Sequence, residues 1–314
     1  MTRYALVPLM LASVAFENEE IADQYPQSVL YEKPIQVIKN VWSAIGATAP
    51  PTYENAGHNN NLSFIVTGDG VVVVNSGANY ALSAALHDEI KAITDQPVRL
   101  VINENGQGHA MLGNNYWTEQ GIDVLAHVDA AEEFEDTQAQ VYEGMLRYAG
   151  DQAEGTVPQG PTLTFEDTYL IEMGDMRIEV LHLGPAHSPG DVSVWLPEQR
   201  LVIAGDIAFT QRMPPIFANT CTSCWIETWE TAFEPLGALY VIPGHGNPTD
   251  MEVVRDGTIG YLTYLRGKIG EHLDDGGDLA SSYYVDQSPY AYMDTFEELA
   301  TKNAGVVFAE MEFE

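Results

Sequence analysis

Basic residues are scarce in this chain. Thirteen Lys and Arg stand against 46 Asp and Glu, a formal net charge of −33 over 314 residues. A general nucleic-acid binder needs a basic footprint, so that class is excluded. Self-repulsion of this size opposes compactness at low ionic strength and is tolerated where salt screens it, so a saline setting is expected. The acidic residues are spread along the chain, as on a solvated surface and not as in an acidic ligand site. Apolar runs long enough to span a bilayer are also missing. The N-terminal run from Tyr4 to Ala12 is too short, and with Arg3 before it and Ser13-Val14-Ala15 after it, residues 1–15 have the pattern of a secretory signal peptide. A periplasmic or secreted protein is expected, with no membrane insertion of the mature chain. Cysteine is nearly absent. Cys221 and Cys224 are the only pair, and in an exported chain this spacing favours a disulfide or a redox couple over a split metal site.

What is present suffices for a folded body. At 45% hydrophobic composition, 314 residues bury a sizeable core as one large domain or two. Residues 36–45 and 62–74 alternate or run apolar around Gly68-Asp69-Gly70, a hairpin pattern. Residues 79–94 carry helical spacing (Leu82, Leu86, Ile90, Ile93) closed by Asp95-Gln96-Pro97. Val98 to Asn103 is a short apolar strand that Gly106 and Gly108 break, and the polar side chains Glu104, Asn105, Gln107 and His109 follow at once. A strand at 122–126, a helix at 130–149 and a polar connection at 150–160 come next. Strands are expected at 162–165, 177–183, 192–195 and 201–204, and helices near 225–233, 250–273 and 296–312.

Three strand ends then present coordinating side chains: His187 in G-P-A-H, Asp206 in A-G-D and His245 in P-G-H-G. Any one alone is a weak indication, whereas the three together form a constellation. His58 lies in the polar loop 55–61, where it either touches substrate or sits on the surface. His87 and His272 are expected to be exposed, His182 to be a buried partner and His127 to be structural.

Residues 101–114 (V-I-N-E-N-G-Q-G-H-A-M-L-G-N), G-P-A-H-S-P-G-D at 184–191, A-G-D at 204–206 and P-G-H-G at 243–246 resemble, in this order, the motifs of the metallo-β-lactamase fold hydrolase superfamily. The resemblance covers residues 33–314. It implies an α/β, four-layer αββα sandwich in a single domain, with a C-terminal helical extension. The tail from Tyr283 to Glu314 resembles the extension of periplasmic members associated with quinoprotein systems.

The first motif departs from the family's H-x-H-x-D-H. An ungapped match puts Asn105 and Gln107 at the first two His, His109 at the Asp and Ala110 at the last His. Asn75 stands where relatives commonly carry an Asp beneath the metal site. The resemblance implies that one metal takes the first two His with His187, and a second takes the motif's Asp and last His with His245, Asp206 bridging. Carried over, the first site keeps only His187 beside two amides, which bind transition metals poorly compared with imidazole. The second keeps Asp206 and His245, with His109 in place of the Asp.

The resulting expectation is a divergent hydrolase holding one divalent metal, zinc before iron or manganese, at His109, His187, Asp206 and His245. A metal-activated water, oriented by Asp206, would attack a small ester, lactone or related substrate. Glu104 acts as base or extra ligand, or else faces solvent. Asn105, Gln107, His58, Asn75, Arg212, Cys221 and Cys224 are candidate pocket residues. Arg212 with Met213 to Phe217 gives an apolar wall bearing one cation, which suits an anionic or amphipathic small molecule. Two other classes stay open: a metal-free ligand-binding protein, and a thiol-dependent redox enzyme built on Cys221 and Cys224.

Overall fold

The computed structural model describes residue 25 and residues 27–314; the expected signal peptide at 1–15 lies outside the described residues. Twelve strands form two sheets in the described residues. The first has seven strands in sequential order: β1 (Ile35–Ile38), β2 (Val41–Ala44), β3 (Leu62–Val66), β4 (Val71–Val74), β5 (Val98–Ile102), β6 (Asp123–His127) and β7 (Leu163–Phe165). β1 to β4 pair antiparallel, and β4 to β7 pair parallel. The second has five: β8 (Thr168–Met173), β9 (Met176–Leu181), β10 (Ser193–Leu196), β11 (Leu201–Phe209) and β12 (Tyr240–His245). Only β11 and β12 pair parallel there.

Helices cover the outer faces. They are α1 (Tyr80–Ile93), α2 (Gly108–Met111), α3 (Asn114–Glu119), α4 (Val128–Ala149), α5 (Thr222–Thr228), α6 (Met251–Arg255), α7 (Tyr261–Asp274), α8 (Leu279–Ser282) and α9 (Phe296–Met311). The period-two alternation of strand side chains divides the apolar residues between layers. Val72 and Val74 of β4 face the second sheet, packing with Ile178, Val194, Ile203 and Ile242. Val71 and Val73 face outward against Leu82, Leu86 and Ile90 of α1. On the far side, Val202, Ala204 and Val241 meet Trp225, Leu262, Leu265 and Val307 from α5, α7 and α9. The result is the expected αββα sandwich, with each helix held by burial of one stripe.

Four local readings of the sequence are corrected. β8 was not expected: it is an exposed edge strand whose side chains show little apolar alternation, turned back through Gly174 at φ +58°. β11 does not stop at Ala204 but continues through Asp206 to Phe209, with its pairing to β12 interrupted on either side of Gly205. The helix expected at 250–273 is three segments, because a π turn at 256–260 inserts extra residues between α6 and α7. That turn is why Val254, Ile259, Leu262 and Leu265 are all buried despite irregular spacing. Nor is His87 exposed: it is half-buried beside Trp117, with Nδ1 2.9 Å from the Tyr116 hydroxyl. His272 is likewise half-buried, close to the Phe308 ring.

Candidate functional site

The C-terminal ends of the parallel strands in both sheets meet at one edge of the sandwich, where loops place side chains without belonging to the ladder. β5 releases Glu104 and Asn105, the turn after it carries Gln107, and His109 lies in α2. Asp206 sits inside β11 and His245 ends β12. His187 comes from the loop between β9 and β10, where Asp191 clamps the chain by accepting from the Ser188 amide and hydroxyl at 2.6 and 2.9 Å.

Two glycines permit the close approach, and sequence reasoning passed over both. Gly205 has φ +65°, and a Cβ there would lie 2.4 Å from Glu104 Oε2. A Cβ on Gly244 would lie 2.4 Å from Asp206 Oδ1. The A-G-D and P-G-H spacings therefore contain the packing condition as well as the ligands.

His109, Asp206 and His245 each bring a ligand atom within 4.8 Å of the others. Asp206 Oδ1 is 3.3 Å from His245 Nε2, and Asp206 Oδ2 is 3.5 Å from His109 Nε2. Adjacent ligands around a tetrahedral zinc are separated by about 3.3 Å, given metal–ligand bonds near 2 Å. His245 Nδ1 lies against the Asn59 carbonyl and 3.1 Å from Arg212 Nη1. Nε2 faces Asp206 Oδ1, a buried oxygen without a hydrogen-bond partner among the described residues. An imidazole nitrogen and a carboxylate oxygen facing each other at this distance in a buried site are placed to share a cation, and a backbone carbonyl on the far nitrogen is how ligating imidazoles are oriented. This donor set fits one divalent ion.

The other half of the site is occupied by amides. Asn105 Nδ2 donates to Asp206 Oδ2 at 3.1 Å, and Gln107 Nε2 donates to His187 Nδ1 at 3.0 Å. His187 Nδ1 also lies 3.5 Å from Asp206 Oδ2, but His187 is not in the three-residue group, and its buried Nε2 has no hydrogen-bond partner among the described residues. The amide N–H groups thus bond to Asp206 Oδ2 and His187 Nδ1, the two atoms that face each other across 3.5 Å. Burial lowers the pKa of His187 to about 4, and burial followed by the neighbouring Arg212 lowers that of His245 to about 4. Both are neutral donors near pH 7. Asp206 is driven the other way: burial opposes its charge, but His109 and His245 outweigh that and hold it well below the usual carboxylate range. For His109, burial is overcome by Asp206 and Glu104, and its pKa rises. Glu104 is buried, its Oε1 is 3.2 Å from His109 Nε2, and burial with the Asp206 charge raises its pKa. It does not face solvent.

The remaining expected residues are dispersed. His58 is fully buried and accepts the Tyr31 amide at 2.8 Å, so it is neither a surface residue nor a substrate contact. Asn75 lies beneath the site with φ +70° and accepts the Glu104 amide at 3.1 Å, holding the first motif in place. Arg212 is buried behind His245, with Nη1 3.1 Å from His245 Nδ1, and supplies charge from below instead of lining a pocket wall. Cys221 and Cys224 form a disulfide at the start of α5. Cys221 borders a groove of about 790 Å³ against the C-terminal helix, whereas His109 borders a separate cavity of about 350 Å³. That cavity is lined by Pro51, Leu112, Val141, Met145 and Tyr148, with Asn59 and two glycines.

Residues 109–257 match the family model described as the metallo-beta-lactamase superfamily. The chain is 21% identical over 197 residues to a metallo-beta-lactamase type 2 from Bacteroides fragilis, covering 60% of this chain and 73% of that protein. A metallo-beta-lactamase type 2 from Bacillus cereus is 24% identical over 85 residues, or 26% of this chain and 32% of that protein. Among solved structures, a metallo-beta-lactamase from Pontibacter korlensis superposes with a TM-score of 0.60 at 18% identity, covering 73% of this chain and 98% of that one. The likeness shows a shared fold.

Proposed function

We propose that this chain, which carries a metallo-β-lactamase superfamily domain, is a metal-dependent hydrolase that works with a single divalent ion, zinc before iron or manganese. The observation that carries this reading is Asp206 Oδ1, without a hydrogen-bond partner among the described residues, facing His245 Nε2 at 3.3 Å, with His109 completing the set. His109, Asp206 and His245 would hold the ion. When bound, it supplies a Lewis acid that lowers the pKa of water and polarises a carbonyl.

The chain's own groups do the rest. Glu104, buried within 3.2 Å of His109, accepts the proton released as water attacks the acyl carbon. Asn105 and Gln107 fix Asp206 and His187 by hydrogen bonds, leaving no cationic vacancy on that side. The cavity beside His109 is mostly apolar and has no Lys or Arg among its described lining residues, so the substrate is a small neutral ester or lactone whose acyl group packs on Leu112, Val141 and Met145. The anionic substrate class loses its support because Arg212 is covered by His245. Export to the periplasm or beyond is part of the proposal and rests on residues 1–15.

Metal content per chain, measured by elemental mass spectrometry on protein purified without chelators, tests it together with a screen of ester and lactone hydrolysis. About one ion lost from this site in Asp206→Ala, with hydrolysis lost in parallel, is the expected result. No metal after loading with zinc, iron and manganese would replace the reading with that of a ligand-binding protein, in which a proton on His109 bridges Glu104 and Asp206.

A further inference from the structure

A second trio of ligating side chains lies outside the site just described. His127 ends β6, Asp129 is in the first turn of α4, and His182 immediately follows β9. Each brings a ligand atom within 4.8 Å of the other two. The imidazoles of His127 and His182 stack with centroids 3.9 Å apart and planes 20° from parallel. In both rings one nitrogen is already committed to a backbone carbonyl: His127 Nε2 to Glu166 and His182 Nδ1 to Asp191, the latter at 3.1 Å. The protons are thereby fixed on those nitrogens. His127 Nδ1 and His182 Nε2 carry the lone pairs, and His127 Nδ1 is 3.7 Å from Asp129 Oδ2. Its remaining partner is the Asp129 amide at 3.2 Å, a long cap bond at the start of α4 that a metal would replace. An imidazole oriented through its far nitrogen by a backbone carbonyl is the arrangement that metal-ligating histidines adopt. Here two adjacent rings have it, with a carboxylate beside them, and one ring must tilt out of the stack for both lone pairs to meet at one ion.

We infer that His127, Asp129 and His182 form a second metal site, selective for a divalent transition ion such as zinc, with solvent completing the coordination. Two imidazoles and one carboxylate suit that class and not calcium or magnesium, which take oxygen. Asp129 is half-exposed and His182 only partly buried, so the ion has a path in. Its place in the fold gives it a task. β6 belongs to the first sheet and β9 to the second, so an ion here staples the two sheets together. It also braces the loop carrying His187, because His182 holds that loop through the Asp191 carbonyl. The inference is independent of the proposed hydrolase site.

Zinc titration by calorimetry, with metal content and melting temperature, tests it on the full chain stripped by chelator and desalted. In an Asp206→Ala background, one zinc per chain is expected, raising the melting temperature. His182→Gln in that background should abolish it, and Asp129→Asn should weaken it at least tenfold. Asp129→Asn changes a half-exposed side chain and decides the matter if His182→Gln misfolds by circular dichroism. The inference is overturned if Asp206→Ala binds no zinc, or if zinc binding is undiminished in Asp129→Asn. A chain whose zinc is unaffected by Asp206→Ala but lost in Asp129→Asn would sink the hydrolase reading and leave this site standing.

Discussion

Asp206 Oδ1 and His245 Nε2 face each other at 3.3 Å in the protein interior, and Asp206 Oδ1 has no hydrogen-bond partner among the described residues. Gly244, one residue before His245, makes this approach sterically possible. Gly244→Ala would place a methyl group 2.4 Å from Asp206 Oδ1. The carboxylate must move, and metal affinity should fall by about 10- to 100-fold, the scale seen when groups supporting a ligand are disturbed. Zinc titration of the variant checks this, and unchanged affinity would separate Asp206 from the metal.

Gly205→Ala meets two costs at once. Its φ of +65° disfavours any side chain, and the new Cβ would lie 2.4 Å from Glu104 Oε2. A loss of about 1–3 kcal/mol is expected in urea unfolding of the metal-free protein. An effect below about 0.5 kcal/mol would mean that the bulge in β11 relaxes without strain.

Restoring two imidazoles should restore a second ion. Asn105 and Gln107 now donate hydrogen bonds to Asp206 and His187. With Asn105→His and Gln107→His together, three imidazoles including His187 converge beside Asp206, a three-His donor set suited to zinc. Metal stoichiometry at this edge of the sandwich should rise from one to two, counted in an Asp129→Asn background. A stoichiometry that stays at one would show that the backbone of the first motif has moved away from a ligating geometry.

His58 should make the fold acid-sensitive. Burial lowers its pKa from 6.5 to about 4 in the folded chain. Between those values the unfolded chain binds a proton that the folded chain does not, so stability falls as pH falls from 6.5 towards 4. Its share is fully present above pH 6.5 and declines by about 1.4 kcal/mol per pH unit inside the window. Chemical denaturation at pH 6.5 and 5.5 should show a smaller drop in His58→Gln than in the wild-type chain, whatever the absolute stability of the variant. Equal drops would mean that water reaches His58.

Much of the layer structure was legible because it depends on local periodicity. The continuous apolar run of β4, which marks a strand buried on both faces, and the helical spacing of Leu82, Leu86 and Ile90 are properties of consecutive residues. β8 was missed because an exposed edge strand needs no apolar alternation, and the π turn at 256–260 because a one-residue insertion blurs the period. The grouping of His109, Asp206 and His245 followed from motif order, while the fate of the departures did not. Nothing local to Asn105 says that its amide will bond a carboxylate 101 residues away.

By itself the sequence determined the αββα layers, the strand end that carries His245, and the presence of Asn105 and Gln107 where the motif it resembles has imidazoles. Tertiary structure alone decided that Asn105 and Gln107 would close the vacated half of the site, that Arg212 would lie behind His245, and that His127 would stack on His182. The physical reason is range. Periodicity and turn chemistry act over a few residues, whereas hydrogen bonding, burial and pKa depend on which distant groups the two sheets bring to the same edge.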